Sequence, residues 1–270
     1  MKFVFRNGNI DITYKRGIIM SDKILMKTKE ECSFSISDLD ANENPLASHI
    51  LQKFQDIAVH NANILNVGFD DLIQKDYIWV VTKIRYKVLK PIKKNQKLYI
   101  TTWPLPKGVI DFCRDYLIED ENGVPYIKGT SRWCITNIKT RRLVRTKVIE
   151  YLNGNGEYFD KKCFDEPYFP LTPFSTEELE PVLEHKVVFT DLDHNKHMNN
   201  TKFADLSIDS IPEIEDCAID EMQVNFLSEC LYKDTIKTYV KANNDNEYEV
   251  IGIKTDGKLS FHTFIKLKHI

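Results

Sequence analysis

An eight-residue segment occurs twice in the chain, and only one copy carries a histidine. Residues 37–44 read SDLDANEN, and residues 190–197 read TDLDHNKH. The last position is Asn44 in the first copy and His197 in the second. A histidine titrates near neutral pH and can act as a general base. The repeat therefore predicts a duplicated fold in which the second half reacts and the first half only binds.

The second copy of the octet places polar side chains at alternate positions before a predicted helix. These residues are Asp193, Asn195 and His197. In an extended segment, alternate side chains point to the same side. The helix start that follows has backbone N–H groups without helical partners, and we expect those near Met198 and Asn199 to hold a developing oxyanion.

A later strand pair adds two further reactive side chains. It contributes Glu229 and Cys230 in the second copy, whereas the first copy has Pro91 and Ile92 at the matching positions. The reactive set is thus confined to the second half. The predicted catalytic residues are Asp193, Asn195, His197, Glu229 and Cys230.

The repeat extends well beyond the octet. Residues 84–88 align with residues 222–226, and the turn at 120–123 aligns with the turn at 254–257. Both turns end on glycine, which is typical of a hairpin. Matches in the same order over more than 80 residues indicate a duplicated domain.

Each copy contains one helix followed by antiparallel strands. Asn44 and Pro45 suit the start of the first helix, and Gly68 suits its end or a following turn. The apolar stripe of this helix is Leu46, Ile50, Phe54 and Ile57. The strands are predicted at 79–89, 98–103, 112–118, 126–138, 218–226, 235–240, 248–254 and 258–267. The second helix is capped by Asn199 or Asn200 and stops at Pro212.

The pattern predicts an α+β protein with a tandem, or double, hotdog fold. In this fold each unit is a long helix wrapped by a curved antiparallel sheet, and the two sheets join edge to edge. Such joining removes sheet edges that would otherwise invite aggregation. We divide the chain into an N-terminal unit at 1–150, a Pro- and Gly-containing linker at 151–182, and a catalytic C-terminal unit at 183–270.

Composition narrows the class of protein. The chain has 270 residues, a net charge of −3 and 42% hydrophobic residues, so nonspecific nucleic-acid binding is not indicated. Six cysteines without a C-x-x-C pair are typical of a reducing compartment, and His194 and His197 lack a third metal ligand at a useful spacing. The N-terminal segment lacks the apolar core of a signal peptide, and no 18-residue apolar run is present. We therefore expect a cytoplasmic protein with no membrane span, metal or cofactor.

The chain resembles the acyl-acyl-carrier-protein thioesterases of plants and bacteria. The resemblance depends on the segment DHNKHMNN at 193–200, which fits the family motif D-x-N-x-H-(V/M)-N-N, and on the Glu-Cys pair at 229–230. Further matches are Trp79-Val-Val, Pro91, Thr102-Trp-Pro, Arg114 and Ser131-Arg-Trp. The resemblance covers about residues 45–250 and is weaker at 151–182.

The resemblance implies hydrolysis of the thioester between a fatty acyl group and the phosphopantetheine of acyl carrier protein. By this comparison His197 and Glu229 orient and deprotonate a water molecule, and Asn195 polarises the carbonyl. Asp193 either orients its neighbours or acts directly as base or nucleophile, and Cys230 is either a nucleophile or a supporting residue. The alternatives of Asp193, Cys230 or water as the attacking group stay open here.

Two further sets follow from the same implied activity. An apolar wall for the acyl chain is predicted at Ile50, Phe54, Ile57 and Ala58. Acyl carrier protein is acidic, so a basic run is expected to dock it. That run is Lys139, Arg141, Arg142, Arg145 and Lys147. The alternative docking cluster is Lys90, Lys93, Lys94 and Lys97, and the sequence leaves open which of the two docks the carrier.

Other functions remain compatible with the same fold. The substrate is alternatively acyl-coenzyme A, or the protein is a non-catalytic acyl-binding or lipid-sensing module. Such sensors usually carry a DNA-binding segment, and residues 1–36 have no basic or helix-turn-helix pattern. A hotdog dehydratase arranges its histidine and acid differently. Acyl chain preference and association into a homodimer are left open by the sequence.

Overall fold

A computed structural model describes residues 23–212 and 214–270. The expectation about a leader falls on residues 1–22 and lies outside the described residues. The helices are α1 (Ala47–Ile64), α2 (Phe69–Ile73) and α3 (Asn200–Asp209). In the first unit the strands are β1 (Ile24–Leu25), β2 (Thr28–Cys32), β3 (Tyr77–Val88), β4 (Leu98–Pro104), β5 (Asp111–Glu119), β6 (Pro125–Asn137) and β7 (Leu143–Val144). Then follow β8 (Gly156–Glu157), β9 (Leu183–Lys186), β10 (Cys217–Phe226), β11 (Thr235–Asn244), β12 (Glu247–Lys254) and β13 (Leu259–His269).

One antiparallel sheet runs through both units. Its strand order is β2-β4-β5-β6-β3-β10-β13-β12-β11-β9, and β7 pairs with β6. The units join where β3 pairs with β10, with Arg85 opposite Gln223. These two residues are also equivalent positions of the repeat. They therefore lie on the approximate twofold axis that relates the two units, and the predicted edge-to-edge junction is confirmed.

Each unit wraps its sheet around one helix, as the double hotdog prediction requires. Buried residues of α1, α3 and the inner strand faces form one apolar cluster that spans both units. The helices also meet directly, since the Ser48 N–H donates to the Asp205 carboxylate at 3.1 Å. The helices therefore pack against each other on the concave side of a continuous sheet.

The predicted start of α1 is wrong by two residues. Asn44 does not cap the helix, because Leu46 occupies the N-cap position and Asn44 lies in the preceding loop, where its backbone N–H donates to the Asp40 carboxylate at 2.9 Å. Pro45 forms an isolated bridge with Leu39, so α1 begins only at Ala47.

The end of α1 and the start of α3 were predicted more closely. The first helix ends at Ile64, and Gly68 belongs to the start of α2. In the second unit, the Asn199 side chain accepts from the Thr201 N–H at 3.0 Å and caps α3, as expected. The asparagine cap was predictable because its acceptor oxygen is a local feature of the sequence.

All eight predicted strands are present, with ends that shift by a few residues. The short strands β2 and β9, which precede the helices and pair with β4 and β11, were not predicted. Each lies at an outer edge of the sheet, where a few residues suffice and the alternation is too short to recognise.

The segment between the units packs on the outer face of the junction. The Phe164 and Phe169 rings lie 4.4 and 3.9 Å from the Arg85 guanidinium carbon. The Phe169 N–H donates to the Gln223 side chain at 2.8 Å. Arg85 also pairs with Glu221 at 2.5 Å, so its buried charge is satisfied. The predicted linker therefore packs over the place where β3 and β10 join the two units.

Candidate active site

The Asp193 carboxylate builds the loop that presents His197. Its Oδ1 accepts the backbone N–H groups of Asn195 at 2.8 Å and His197 at 3.1 Å. The Asp193 N–H donates back to the His197 carbonyl at 2.8 Å. Lys196 closes the loop with a φ of +66°. These bonds fix the position of the imidazole before any substrate binds.

The first unit contains the same loop without the histidine. Asp40 Oδ1 accepts the N–H groups of Asn42 and Asn44, each at 2.9 Å. Its own N–H donates to the Asn44 carbonyl at 2.8 Å, and Glu43 has a φ of +60°. Asp40 makes equivalent bonds in the unit that lacks the histidine, so Asp193 has a structural part in its loop whatever its role in a reaction.

His197 lies against the predicted acidic partner. Its Nε2 is 3.3 Å from Glu229 Oε2, with about a third of the histidine side chain and half of the glutamate side chain exposed. The backbone brings them together, because the Met198 N–H donates to the Cys230 carbonyl at 2.8 Å. A carboxylate at this distance stabilises the positive charge that the imidazole acquires when it accepts a proton.

The two octet asparagines have different surroundings. Asn42 donates from Nδ2 to the backbone carbonyls of Glu215 at 2.6 Å and Cys217 at 3.3 Å, which tie the first loop to the second unit. Asn195 is exposed, and its side chain makes no hydrogen bond with any described residue. The Asn195 carboxamide is therefore the one of the two that can donate to a substrate.

Cys230 lies beside the pair but is fully buried. Burial raises the pKa of its thiol to about 11. A cysteine nucleophile needs a thiolate, and a raised pKa keeps the thiol neutral at physiological pH. The environment of Cys230 therefore favours a residue that supports the site over a nucleophile.

The expectation about backbone oxyanion donors is wrong for the two amides named. The Met198 N–H donates to the Cys230 carbonyl, and the Asn199 N–H donates to the Asp191 carbonyl, each at 2.8 Å. Both amides join the loop to the neighbouring backbone and are not free for a substrate. The local sequence did not show this for Met198, because its acceptor lies more than 30 residues away, in the loop between β10 and β11.

The first unit closes the other side of the site. The Phe69 ring lies edge-on to the His194 ring, with centroids 5.7 Å apart. Arg141 Nη1 lies 3.9 Å from Glu229 Oε2. Lys139, two residues earlier in the same hairpin, donates to Asp76 at 2.6 Å. The candidate site thus sits between the two units.

All five basic side chains of the predicted run are exposed. Among the described residues, only Arg141 of this run contacts a site residue. Its members are Lys139, Arg141, Arg142, Arg145 and Lys147. The run therefore borders the site but does not form it, and its docking role stays a prediction.

The predicted acyl wall lies in the shared apolar cluster. Ile50, Phe54, Ile57 and Ala58 are all buried there. The Phe54 ring stacks on Tyr116 at 4.4 Å between centroids. A side chain at Gly129 would lie 2.3 Å from this ring, so glycine lets the helix and sheet approach. These four residues are core packing in the structure, and their contact with an acyl chain stays a prediction.

A row of buried polar groups inside the first unit was not predicted. Arg114 Nη1 donates to Asn61 Oδ1 at 2.6 Å and to Thr102 Oγ1 at 3.2 Å. Asn61 Nδ2 donates to Thr28 Oγ1 at 2.8 Å. Burial lowers the pKa of Arg114. Arg114 entered the prediction only as part of the family pattern, and its position in the alternation of β5 was the signal that could have placed it inside the unit.

Two classes of site are not found among residues 23–212 and 214–270. No cluster of three His, Cys, Asp or Glu side chains there is placed to hold a metal ion. No helix in that part of the chain combines the length and apolarity needed to cross a bilayer.

The fold and the candidate site together define a class of protein. It is a double hotdog with a His–Glu pair at the junction of its two units. The family model described as acyl-ACP thioesterase N-terminal domain matches residues 25–151, and the C-terminal domain of the same family matches residues 175–261. Together they span most of the chain. The chain belongs to the acyl-ACP thioesterase family.

Individual relatives agree with this assignment. An acyl-[acyl-carrier-protein] hydrolase of Cuphea viscosissima, named as chloroplastic, is 28% identical over 195 residues, covering 67% of this chain and 46% of the relative. A palmitoyl-acyl carrier protein thioesterase of Gossypium hirsutum is 24% identical, covering 82% of this chain and 57% of the relative. The chain thus spans about half the length of these curated relatives.

Among solved structures, an acyl-ACP thioesterase from Bacteroides thetaiotaomicron has a TM-score of 0.81 at 16% identity, covering 90% of this chain and 98% of that one. At this identity, the similarity confirms the fold.

Proposed function

We propose that the protein hydrolyses the thioester of fatty acyl-acyl carrier protein and releases a free fatty acid and the carrier. The observation that carries the proposal is the contact of 3.3 Å between His197 Nε2 and Glu229 Oε2. The matching positions of the first unit hold Asn44 and Pro91, so the pair is not a requirement of the fold. Membership of the acyl-ACP thioesterase family supports the substrate class.

In the proposed reaction, a water oxygen attacks the thioester carbon while His197 accepts a proton from that water. Glu229 stabilises the imidazolium, and the Asn195 carboxamide donates to the carbonyl oxygen as it becomes negative. The C–S bond then breaks, and the departing thiolate takes the proton from His197. Asp193 holds the loop, and the buried thiol of Cys230 packs behind it.

The remaining assignments are part of the same proposal. The acyl chain contacts the α1 face formed by Ile50, Phe54, Ile57 and Ala58, which requires this part of the core to open. The basic run from Lys139 to Lys147 contacts the acidic carrier. The cytoplasmic location, the division into units at 150 and 182, and a homodimer stay predictions.

The decisive experiment is hydrolysis of acyl-carrier-protein thioesters from short to long chains by the wild type and His197→Ala, with the matching acyl-coenzyme A series alongside. Fatty acid release from the carrier series, lost in the variant, is the expected result. Faster release from coenzyme A would instead favour the acyl-CoA thioesterase alternative. No release from either series, with acyl ligands still bound, would contradict an enzyme and favour an acyl-binding module.

A further inference from the structure

Four apolar side chains lie exposed next to the candidate site. We call them the site patch, and they are Val188, Phe189, Leu231 and Tyr232. Phe189 is 78% exposed and Tyr232 is 51% exposed. A soluble protein seldom concentrates large apolar groups without a binding role.

The patch is contiguous with His197. An isolated bridge pairs the backbone of His197 with that of Leu231. The segments that carry the patch are also joined, because the Lys233 N–H donates to the Val187 carbonyl at 3.0 Å and the Val187 N–H donates to the Asp234 carbonyl at 2.8 Å. A molecule that covers the patch would therefore reach the site.

The first unit shows that the fold does not require apolar residues at these positions. The same backbone contact exists there, with the Asn95 N–H donating to the Phe34 carbonyl at 2.8 Å. The residues that match the patch are Ser35, Ile36, Lys93 and Lys94. Three of these four are polar or charged, so an apolar surface is specific to the unit that carries His197.

Three lysines belong to the segments that carry the site patch and the His197 loop. Lys186, Lys196 and Lys233 form no ion pair with any described residue, and the Lys233 ammonium lies 5.2 Å from the Tyr232 ring centroid. On the other side of the site, Arg141 extends from the first unit towards Glu229. An apolar centre with a charged rim is the usual anatomy of a protein interface.

We propose that the site patch is the docking surface for the protein part of the acyl carrier, with the surrounding lysines facing its acidic side chains. This proposal rests on the proposed function and adds the location of the partner. A second copy of the chain fits less well, because a symmetric contact through the patch would bring the unpaired lysines of both copies together.

The test compares two substrates with the same acyl chain length, acyl-acyl carrier protein and acyl-coenzyme A. Both contain the phosphopantetheine arm, and only the first contains the carrier protein. The variants are Phe189→Ser and Tyr232→Ser, which replace the two most exposed apolar side chains of the site patch by a small polar one without changing its charge. Ile36→Ser is the matched control, since Ile36 is 72% exposed at the position equivalent to Phe189.

We expect each patch variant to raise KM for acyl-acyl carrier protein about tenfold, because losing one ordinary interface contact has an effect of this size. Turnover of the carrier substrate and hydrolysis of acyl-coenzyme A should stay near wild type, and Ile36→Ser should change neither. Titration of the holo-carrier into the same variants should show a matching loss of affinity, which does not depend on turnover.

Two results would overturn the docking proposal while leaving the hydrolase intact. One is an unchanged KM for the carrier substrate and unchanged holo-carrier affinity. The other is conversion of a dimer to a monomer in sedimentation with KM unchanged, which would assign the patch to a second copy. If the wild type hydrolyses neither substrate, the proposed function fails, and the holo-carrier titration still decides whether the patch binds the carrier.

Discussion

In the first unit the loop built by Asp40 ends on Asn44, and in the second unit the loop built by Asp193 ends on His197. The two loops share their hydrogen bonds and the left-handed residue that closes them. They differ in what the last side chain meets, since only His197 faces a glutamate. The comparison separates the residues that shape the loop from those proposed to perform chemistry.

The surroundings of the two loops differ in the same direction. Asn42 is bound to backbone carbonyls of the other unit, whereas the Asn195 side chain has no partner among the described residues. The surface next to the first loop carries Lys93 and Lys94, where the second has Leu231 and Tyr232. These differences agree with the proposal that the second unit meets the substrate.

The largest effect is expected from making the second loop resemble the first. His197→Asn introduces the residue found at Asn44 and removes the general base, so kcat should fall about 10²- to 10⁴-fold. Steady-state hydrolysis of the acyl-acyl carrier protein thioester measures the fall in kcat. His194→Ala is the control in the same loop, because His194 contacts Phe69 and not Glu229. Equal losses in both variants would implicate the loop as a whole.

The aspartates should behave alike if both serve the loop. Asp40→Ala and Asp193→Ala each leave two backbone N–H groups without their acceptor, which should lower the free energy of unfolding by about 1–3 kcal/mol. Urea denaturation measures both. A loss of kcat in Asp193→Asn as large as in His197→Asn, with stability unchanged, would instead place this carboxylate in the chemistry.

Glu229→Gln tests the contact that the first unit lacks. The pair is half-exposed and worth on the order of 1 kcal/mol, so kcat should fall about fivefold. Glu184→Gln is the control. Glu184 forms an ion pair with Lys237, with Nζ and Oε2 3.5 Å apart, and this pair lies outside the loop. An unchanged kcat in Glu229→Gln would remove Glu229 from the proposed site.

The smallest effect is expected at Cys230. Because burial raises the pKa of its thiol to about 11, the thiol is neutral below that pH and should resist iodoacetamide at neutral pH in the folded protein. Mass spectrometry of the alkylated protein, with the unfolded chain as reference, checks this. Rapid labelling of Cys230, together with a burst of acyl-enzyme, would identify it as the nucleophile after all.

Much of the fold was predictable because its signals are local. The alternation of strands β3 to β6 and β10 to β13 and the cap at Asn199 each depend on a few consecutive residues. The start of α1 was misplaced because Asn44 and Pro45 are held by the preceding loop, a contact that no helix propensity describes.

The sequence alone determined that the fold is duplicated and that His197, Glu229 and Cys230 have no counterparts in the first copy, because both follow from aligned residue types. Only the tertiary structure decided how the groups are used. It showed that the Met198 and Asn199 amides are occupied, that Cys230 is buried, and that Arg141 of the other unit reaches Glu229. These features depend on contacts between loops of the folded chain and on burial, which no local pattern encodes.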